Sequence, residues 1–330
     1  MSKKCLLSII VPIYNAERFL YDCLYSLVNQ DMSLDEYEII LINDGSTDCS
    51  NEIIDKFLTK YPNIHVENQN NQGQSVARNK GLDFAKGRYV IFVDSDDMLF
   101  PNVLSQIISI AEENMLDVCA FRIKYTDEFG NEHLGAIQPF ETSQVFDGRY
   151  AIKNGADIGA VWLNLYSREM IEKYHLRFYP GIFHQDVDFN LRMYAYANRI
   201  MFTDIIGYYY RFVSGSSTRK PNKQRKIKLI SDDMTIVRHI RDFSNHDKCG
   251  YLLKDFYTKH GNSMVISCLY QIIFDKDIDY YNKIKLLDIA KNLNIYPIKG
   301  STLSWKNFFL KPFFNNEWVI RRTINFFVHF

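Results

Sequence analysis

The sequence predicts an α/β fold, a mostly parallel central sheet with helices on both faces, followed by a helical C-terminal region. Three observations carry this. Through the first hundred residues, apolar runs of strand length alternate with amphipathic segments, at the spacing of about 10–15 residues that βαβ units produce. The strand-like runs, Leu7–Ile13 first among them, are predominantly apolar, as strands covered on both faces are. Past the basic, polar stretch Lys220–Lys228 the β signal stops and the remainder reads as helices.

Leu7–Ile13 is an apolar run of strand length, and Glu17–Asn29 carries Phe19, Leu20, Cys23, Leu24 and Leu27 at helical spacing. Tyr37–Ile42 is a second strand, ended by Asn43-Asp44-Gly45, and Ser46 or Thr47 can cap a helix running through Phe57. Ile64–Val66 is a short third strand, Ser75–Ala85 a helix, and Tyr89–Val93 a fourth strand ending at Asp94. After Pro101 a helix reaches about Asn114, Val118–Tyr125 is a strand, and Thr126–Asp147 is loop-rich. Asp186–Ala197 sets Phe189, Leu191, Met193 and Tyr194 on a helical repeat, and Arg199–Phe202 and Tyr208–Phe212 read as two more strands. Ser214-Gly215-Ser216-Ser217 precedes the change of character, so one domain is expected over residues 1–220 and a helical extension over 221–330.

Composition narrows the class. With 47% hydrophobic and 24% charged residues in 330, the chain can bury a sizeable core, which excludes disorder. Lys plus Arg and Asp plus Glu both number 39, which argues against a general nucleic-acid binder that depends on excess cations. The cysteines, Cys5, Cys23, Cys49, Cys119, Cys249 and Cys268, lack C-x-x-C spacing and a neighbouring His cluster. Scattered buried thiols in a reducing compartment are expected, with no zinc site and no disulfide framework. The apolar run behind Met1-Ser2-Lys3-Lys4 is short, is stopped by Pro12 and has no small-residue cleavage site, so it reads as a strand and not as a signal peptide. No stretch approaches the roughly 20 apolar residues of a membrane span, and the expected location is cytoplasmic.

In such a sheet ligands bind beyond the carboxyl ends of the strands. The polar residues that follow the strands therefore form one group: Tyr14, Asn15, Asp44, Asp94, Asp96 and Asp97. Asp94-Ser95-Asp96-Asp97 is the sharpest feature. Three carboxylates within four residues repel one another and favour protonation unless a cation neutralises them. Hard oxygen ligands suit Mg²⁺ or Mn²⁺, which bind through one or two carboxylates plus substrate phosphates. The competing reading is a solvated acidic turn with Asp97 capping the next helix. Asn43–Asp48, by itself, is a turn and N-cap signature. The segment Gln72–Gly81 is neither a Walker A loop nor G-x-G-x-x-G; its Arg78 is either an exposed helix charge or reaches a phosphate or the Asp94 cluster. Asp186 opens a helix between His184 and Asp188, where the helix N-terminus favours an ionised carboxylate. A carboxylate so placed can take the proton of a hydroxyl within hydrogen-bond reach.

These residues carry a resemblance. The run Ser8-Ile9-Ile10-Val11-Pro12-Ile13-Tyr14-Asn15-Ala16-Glu17, the Asn43–Asp48 turn, Gly73–Asn79 and Asp94–Asp97 resemble, in order and spacing, the nucleotide-sugar-binding half of family 2 glycosyltransferases. The similarity continues through Phe183-His184-Gln185-Asp186-Val187-Asp188-Phe189 to the Tyr208–Thr218 region, about two-thirds of the chain. It implies the GT-A fold, with residues 1–100 as the nucleotide-sugar half and 101–220 as the acceptor half. By this resemblance Pro12, Tyr14 and Glu17 line the nucleoside site, Asp44 hydrogen-bonds the base, and Arg78 lies near base and ribose. Asp94 contacts ribose or metal-bound water, and Asp96 ligates the Mn²⁺ or Mg²⁺ that bridges the diphosphate; Asp97 either adds a ligand or caps the helix. Asp186 corresponds to the general base of the inverting enzymes. Members of the family often carry Glu-Asp where this chain has Gln185-Asp186, and the missing charge bears on the base and on acceptor contacts. His184 and Gln185 fall on the acceptor side. Trp162 is either core or a stacking face for an acceptor sugar. Arg211, Ser214, Ser217 and Arg219 form either a lid over the diphosphate or a polar linker.

The implied activity is inverting transfer of a hexosyl or hexosaminyl group from a nucleotide-diphosphate sugar, expected to be a UDP-sugar. The acceptor would be a hydroxyl of a glycan or lipid-linked glycan in bacterial cell-surface polysaccharide synthesis. Two rivals stand beside it: a non-catalytic nucleotide-sugar or glycan binder in which Gln185 marks a decayed site, and a sugar nucleotidyltransferase. The lack of a Gly-rich, Lys/Arg-bearing loop after Val11 counts against the second. The aromatics, 24 Phe and 22 Tyr among them, crowd residues 300–330: Trp305, Phe308, Phe309, Phe313, Phe314, Trp318, Phe326, Phe327 and Phe330. That tail either docks on its own domain or on a second subunit as a homodimer, or lies in the membrane interface, where Trp and Phe insert and Lys/Arg meet anionic lipid. The second case would put the protein at the inner face of the membrane.

Overall fold

The first strand, β1 (Leu7–Ile13), is buried at every position, as an inner strand covered on both faces must be. In the computed structural model, which describes residues 5–127, 129–135, 138–212 and 222–329, it pairs in parallel with β2 (Tyr37–Asn43). Beyond β2 lies β3 (Ile64–Asn68), again parallel, and on the other side of β1 lies β4 (Tyr89–Phe92). The remaining strands are β5 (Met98–Leu99), β6 (Val118–Thr126), β7 (Glu132–Leu134), β8 (Val145–Phe146), β9 (Asn164–Ser167) and β10 (Ile200–Tyr210). They complete one sheet in the order β3-β2-β1-β4-β9-β6-β10-β5, with β7 on β6 and β8 on β10.

Helices α1 (Leu20–Val28), α2 (Ser50–Leu58), α3 (Gln74–Phe84) and α4 (Leu104–Glu113) follow β1, β2, β3 and β5. One face of β1, with Leu7, Ile9, Val11 and Ile13, shares a core with Leu20, Cys23 and Leu24 of α1 and Leu104 and Ile107 of α4. On the other face α3 comes so close that a Cβ on Gly81 would meet Ile10 Cγ2 at 2.3 Å. Glycine is needed there for the approach. Helices α5 (Gly148–Lys153), α6 (Arg168–Lys173) and α7 (Gln185–Tyr196) complete the α/β part.

Some elements differ from expectation for identifiable reasons. Neither Ser46 nor Thr47 caps α2. Ser46 Oγ accepts from the Asn15 N–H at 3.1 Å, the Thr47 N–H donates to Asn15 Oδ1 at 2.8 Å, and Asp48 Oδ1 instead accepts from the Ser50 N–H at 3.0 Å. Asp97 caps no helix either, because α4 begins only at Leu104. The two strands read at residues 199–202 and 208–212 are one, β10, whose register against β6 shifts between Phe202 and Tyr208. The loop-rich stretch holds β7 and β8, and the short β9 runs antiparallel between β4 and β6. Cys49 is exposed, while Cys23, Cys119 and Cys268 are buried.

The chain divides into two compact units: one comprises Met1–Gly181 and Phe189–Ser214, the other Ile182–Asp188 and Gly215–Phe330. The second is helical, with α8 (Lys223–His246), α9 (Lys248–Leu252), α10 (Lys254–Phe274), α11 (Tyr280–Asn292), α12 (Trp305–Phe314) and α13 (Glu317–His329). Its core joins Ile230 and Met234 of α8, Leu269 and Ile273 of α10, Leu286 of α11, and Phe314, Ile320 and Ile324 of the tail helices. Part of the aromatic tail is thus ordinary core. Among the described residues no helix is long and apolar enough to cross a membrane.

Candidate functional site

The residues marked near the carboxyl ends of β1 and β2 are bound to one another. Pro12 is buried within β1, past the end of the β1–β4 ladder at Ile10, where a missing N–H costs no bond on that side. Tyr14 is half exposed at 52%. Asn15 takes a left-handed φ of 49°, a conformation Asn tolerates, and its side chain clips the β1–α1 loop to the loop after β2. Glu17 makes the second clip: its N–H donates to Asp48 Oδ2 at 2.9 Å, and its Oε2 accepts from the Cys49 N–H at 2.8 Å.

Asp44 is buried, and its carboxylate is already engaged. Oδ1 accepts from Gln69 Nε2 at 2.7 Å and from the Gln72 N–H at 2.8 Å, and Oδ2 accepts from the Gly73 N–H at 2.8 Å. Asp44 therefore fixes the loop that leads into α3. Gly73, at the start of that helix, has φ 89° and nothing within 4 Å of where a Cβ would stand; the backbone conformation calls for glycine, and the space in front of it is open. Arg78, one turn into α3, is 1% exposed and so is not a surface helix charge. Its guanidinium donates to Asp94 Oδ1 at 2.8 Å and lies 5.3 Å from the Phe178 ring and 6.0 Å from that of Phe92.

The acidic motif sorts its carboxylates by environment. Asp94 Oδ1 also accepts from Gln74 Nε2 at 2.9 Å, and the Asp94 N–H donates to the Tyr208 hydroxyl at 3.1 Å. That hydroxyl in turn donates to Asp97 Oδ2 at 2.8 Å, while Asp97 Oδ1 accepts from the Arg211 N–H at 2.8 Å. Asp97 is buried, and burial, with the Asp96 and Asp94 charges beside it, pushes its carboxyl up to about 8. Through these two bonds it anchors β10. Asp96 stays partly exposed. Arg211 also donates to Asp22 Oδ2 at 3.0 Å and lies over the Phe19 ring at 5.1 Å; Ser214, Ser217 and Arg219 lie outside the described residues. Trp162 is partly buried and stacks on Tyr208 at 4.6 Å and on Tyr210 at 5.6 Å between ring centroids.

The Phe183–Asp188 motif belongs to the helical unit, and α8 holds it. The Phe183 N–H donates to Asp232 Oδ2 at 2.8 Å, and the Phe183 ring lies 4.7 Å from the Arg225 guanidinium. His184, in a left-handed φ of 54°, bonds Asp233 Oδ1 through Nδ1 at 2.7 Å. That bond raises the His184 pKa above its ordinary value, with burial opposing and the charges of Asp233 and Asp186 adding to it. Gln185 and Asp188 are buried, Asp188 Oδ1 lying 3.6 Å from His239 Nδ1. Asp186 is half-buried in the first turn of α7.

The profile described as Glycosyl transferase family 2 matches residues 8–175. The chain belongs to glycosyl transferase family 2. It is 36% identical over 223 residues to the uncharacterized glycosyltransferase EpsJ of Bacillus subtilis, covering 66% of this chain and 64% of that one. To the uncharacterized glycosyltransferase YibD of Escherichia coli it is 33% identical over 219 residues, covering 64% of this chain and 63% of that one. The match thus spans a little under two-thirds of these relatives' lengths. Among solved structures, residues 1–349 of S. aureus TarS in complex with UDP-GlcNAc align with a TM-score of 0.76 and 21% identity, over 98% of this chain and 90% of that one. The likeness shows the fold: a GT-A α/β domain with a helical C-terminal region.

In this family 2 chain no group of three or more His, Cys, Asp or Glu side chains is gathered to hold a metal ion among the described residues. Asp94 is turned to Arg78 and Gln74, and Asp97 to Tyr208 and Arg211. The donor set fits a divalent cation that brings phosphate and water ligands with it, and does not fit a closed protein cage. Tyr208 and Asp233 carried no sequence signal of a role. Each looks ordinary in its own element, one a strand aromatic and the other a helix carboxylate, and only the fold shows what it touches.

Proposed function

We propose that the chain is an inverting glycosyltransferase that moves a hexosyl or hexosaminyl group from a UDP-sugar to a hydroxyl of a glycan or lipid-linked glycan in cell-surface polysaccharide synthesis. One observation carries the donor half: at the carboxyl ends of β1, β2 and β4, a loop locked by Asp44 and an Asp94–Arg78 pair flank the partly exposed Asp96. This is where a parallel sheet binds its ligands. Pro12, Tyr14 and Glu17 line the nucleoside side, and the open space at Gly73 beside Asp44 receives the base. Arg78 orients Asp94 toward the ribose, and Asp96 holds Mn²⁺ or Mg²⁺. When bound, the cation supplies charge compensation for the diphosphate as it departs.

On the acceptor side Asp186 serves as the general base. The acceptor oxygen forms its bond to the anomeric carbon as the bond to the diphosphate breaks; the acceptor proton passes to Asp186, and the nucleoside diphosphate carries away the electron pair. The helix N-terminus favours the ionised form of this carboxylate before the step. Gln185 and His184 orient the acceptor, and Trp162 offers a ring face to its sugar. The deciding experiment is Asp186→Asn. Transfer from UDP-sugar should fall by about 10²–10⁴-fold, the usual scale of general-base catalysis, while UDP binding stays near wild type. Turnover close to normal would remove Asp186 from the role.

A further inference from the structure

The tail helices α12 and α13 have two faces. Phe314, Ile320 and Ile324 are buried in the core of the helical unit. The outward positions are as aromatic as the inward ones: Trp305 is 70% exposed, Phe309 71% and Trp318 65%, with Phe308 also exposed. On α12, Trp305, Phe308 and Phe309 recur at the spacing of three and four that shares one helix face. On α13, Trp318 and Arg322 are one turn apart, and the Arg322 guanidinium lies 4.9 Å from the Trp318 ring. Lys306 stands 6.0 Å from the Trp305 ring. Large aromatics at such exposure, several on one pair of helices, mark an interaction surface.

The charges around these rings say what covers it. Lys306 and Arg322 are exposed. The one carboxylate in the tail, Glu317, is taken by Lys291 at 2.6 Å and Arg321 at 2.8 Å. A second copy of the chain is a poor occupant, because an isologous interface sets a patch against itself and would bring these cations face to face. A surface that is apolar within and anionic at its boundary complements both features. Indole and phenyl rings enter the interfacial region of a bilayer, and lysine and arginine meet anionic headgroups.

We infer that the aromatic, basic face of α12 and α13 docks this protein on an anionic membrane surface without crossing it. The inference is independent of the donor-site reading, and its test uses neither donor nor acceptor. The full chain is sedimented with vesicles of phosphatidylcholine, alone or mixed with phosphatidylglycerol. Binding should be at least about tenfold stronger to the anionic vesicles, weakening by about fivefold for each cation removed and falling as salt rises. Lys306→Glu with Arg322→Glu should abolish the preference, and Trp305→Ser with Trp318→Ser should release the protein at low salt. All four side chains are exposed, so both pairs of variants should melt as wild type does; a changed melt would redirect the test to the single substitutions. Equal binding to both vesicle types, no binding to either, or variants that bind as wild type would overturn the inference. So would a dimer in solution that Trp305→Ser with Trp318→Ser dissociates.

Discussion

Asp44→Asn tests how one carboxylate scaffolds the loop that leads into α3. The carboxylate accepts three hydrogen bonds, from Gln69 Nε2, the Gln72 N–H and the Gly73 N–H, at 2.7–2.8 Å. An amide keeps one acceptor oxygen. If that oxygen takes the place of Oδ1, the amide nitrogen faces the Gly73 N–H, donor against donor. One buried bond is then lost and left unsatisfied, costing about 1–3 kcal/mol, and the two survivors lose charge assistance worth about 1 kcal/mol each. The sum is about 3–5 kcal/mol. For a unit of about 200 residues, each kcal/mol moves the midpoint by roughly 2–4 °C, so calorimetry should show a drop on the order of 10 °C. UDP affinity should fall with it, because Gly73 and the start of α3 lose their tether. A drop below about 3 °C would mean that the loop holds its shape without Asp44, and the scaffolding argument fails.

Three further outcomes concern Tyr208, Asp96 and His184. Tyr208→Phe removes the hydroxyl shared by Asp97 Oδ2 and the Asp94 N–H; about 2–4 kcal/mol of stability should go, and a melt within 1–2 °C of wild type would contradict the assignment. Asp96→Ala should abolish the part of UDP binding that depends on Mn²⁺, measured calorimetrically with and without chelator; an unchanged Mn²⁺ effect would refute Asp96 as the ligand. The raised His184 pKa makes its bond to Asp233 a contribution that is complete below about 6.5 and lost as pH rises through the folded-state value. Asp233→Asn should therefore move the His184 NMR titration downward, and an unmoved titration would show that the bond does not set it.

The α/β frame was legible because parallel strands buried on both faces read as near-continuous apolar runs. Leu7–Ile13 is identical in sequence pattern and in structure, and the Tyr37 strand misses by a single residue at Asn43. Where the reading slipped, long-range pairing decided the matter. Asn164–Ser167 is too short to announce itself, and it becomes β9 because β4 and β6 flank it on either side. The gap read between two strands at residues 203–207 is a change of register within β10, set by its partner β6. Ser46 and Thr47 have the chemistry of helix caps, but Asn15, arriving from the previous loop, claims both.

At the candidate site the sequence could list carboxylates without saying what each one meets. Asp94, Asp96 and Asp97 are nearly adjacent and chemically alike, yet the fold gives them different fates. A buried cation from α3 fixes the first, the second stays partly exposed, and the third is buried against the Tyr208 hydroxyl and the Arg211 N–H. The cause is the distance in sequence of the deciding partners: Arg78 is 16 residues from Asp94, and Tyr208 is 111 residues from Asp97. The helical region shows the same dependence on partners distant in sequence. From composition it is an appendage after residue 220, but Asp232 and Asp233 bond the Phe183 N–H and the His184 ring. The segment that bears Asp186 thus takes its shape from α8. Removing α8 would leave Phe183–Asp188 without the contacts that hold His184 at a positive φ, a conformation that side chains other than glycine keep only where their surroundings impose it.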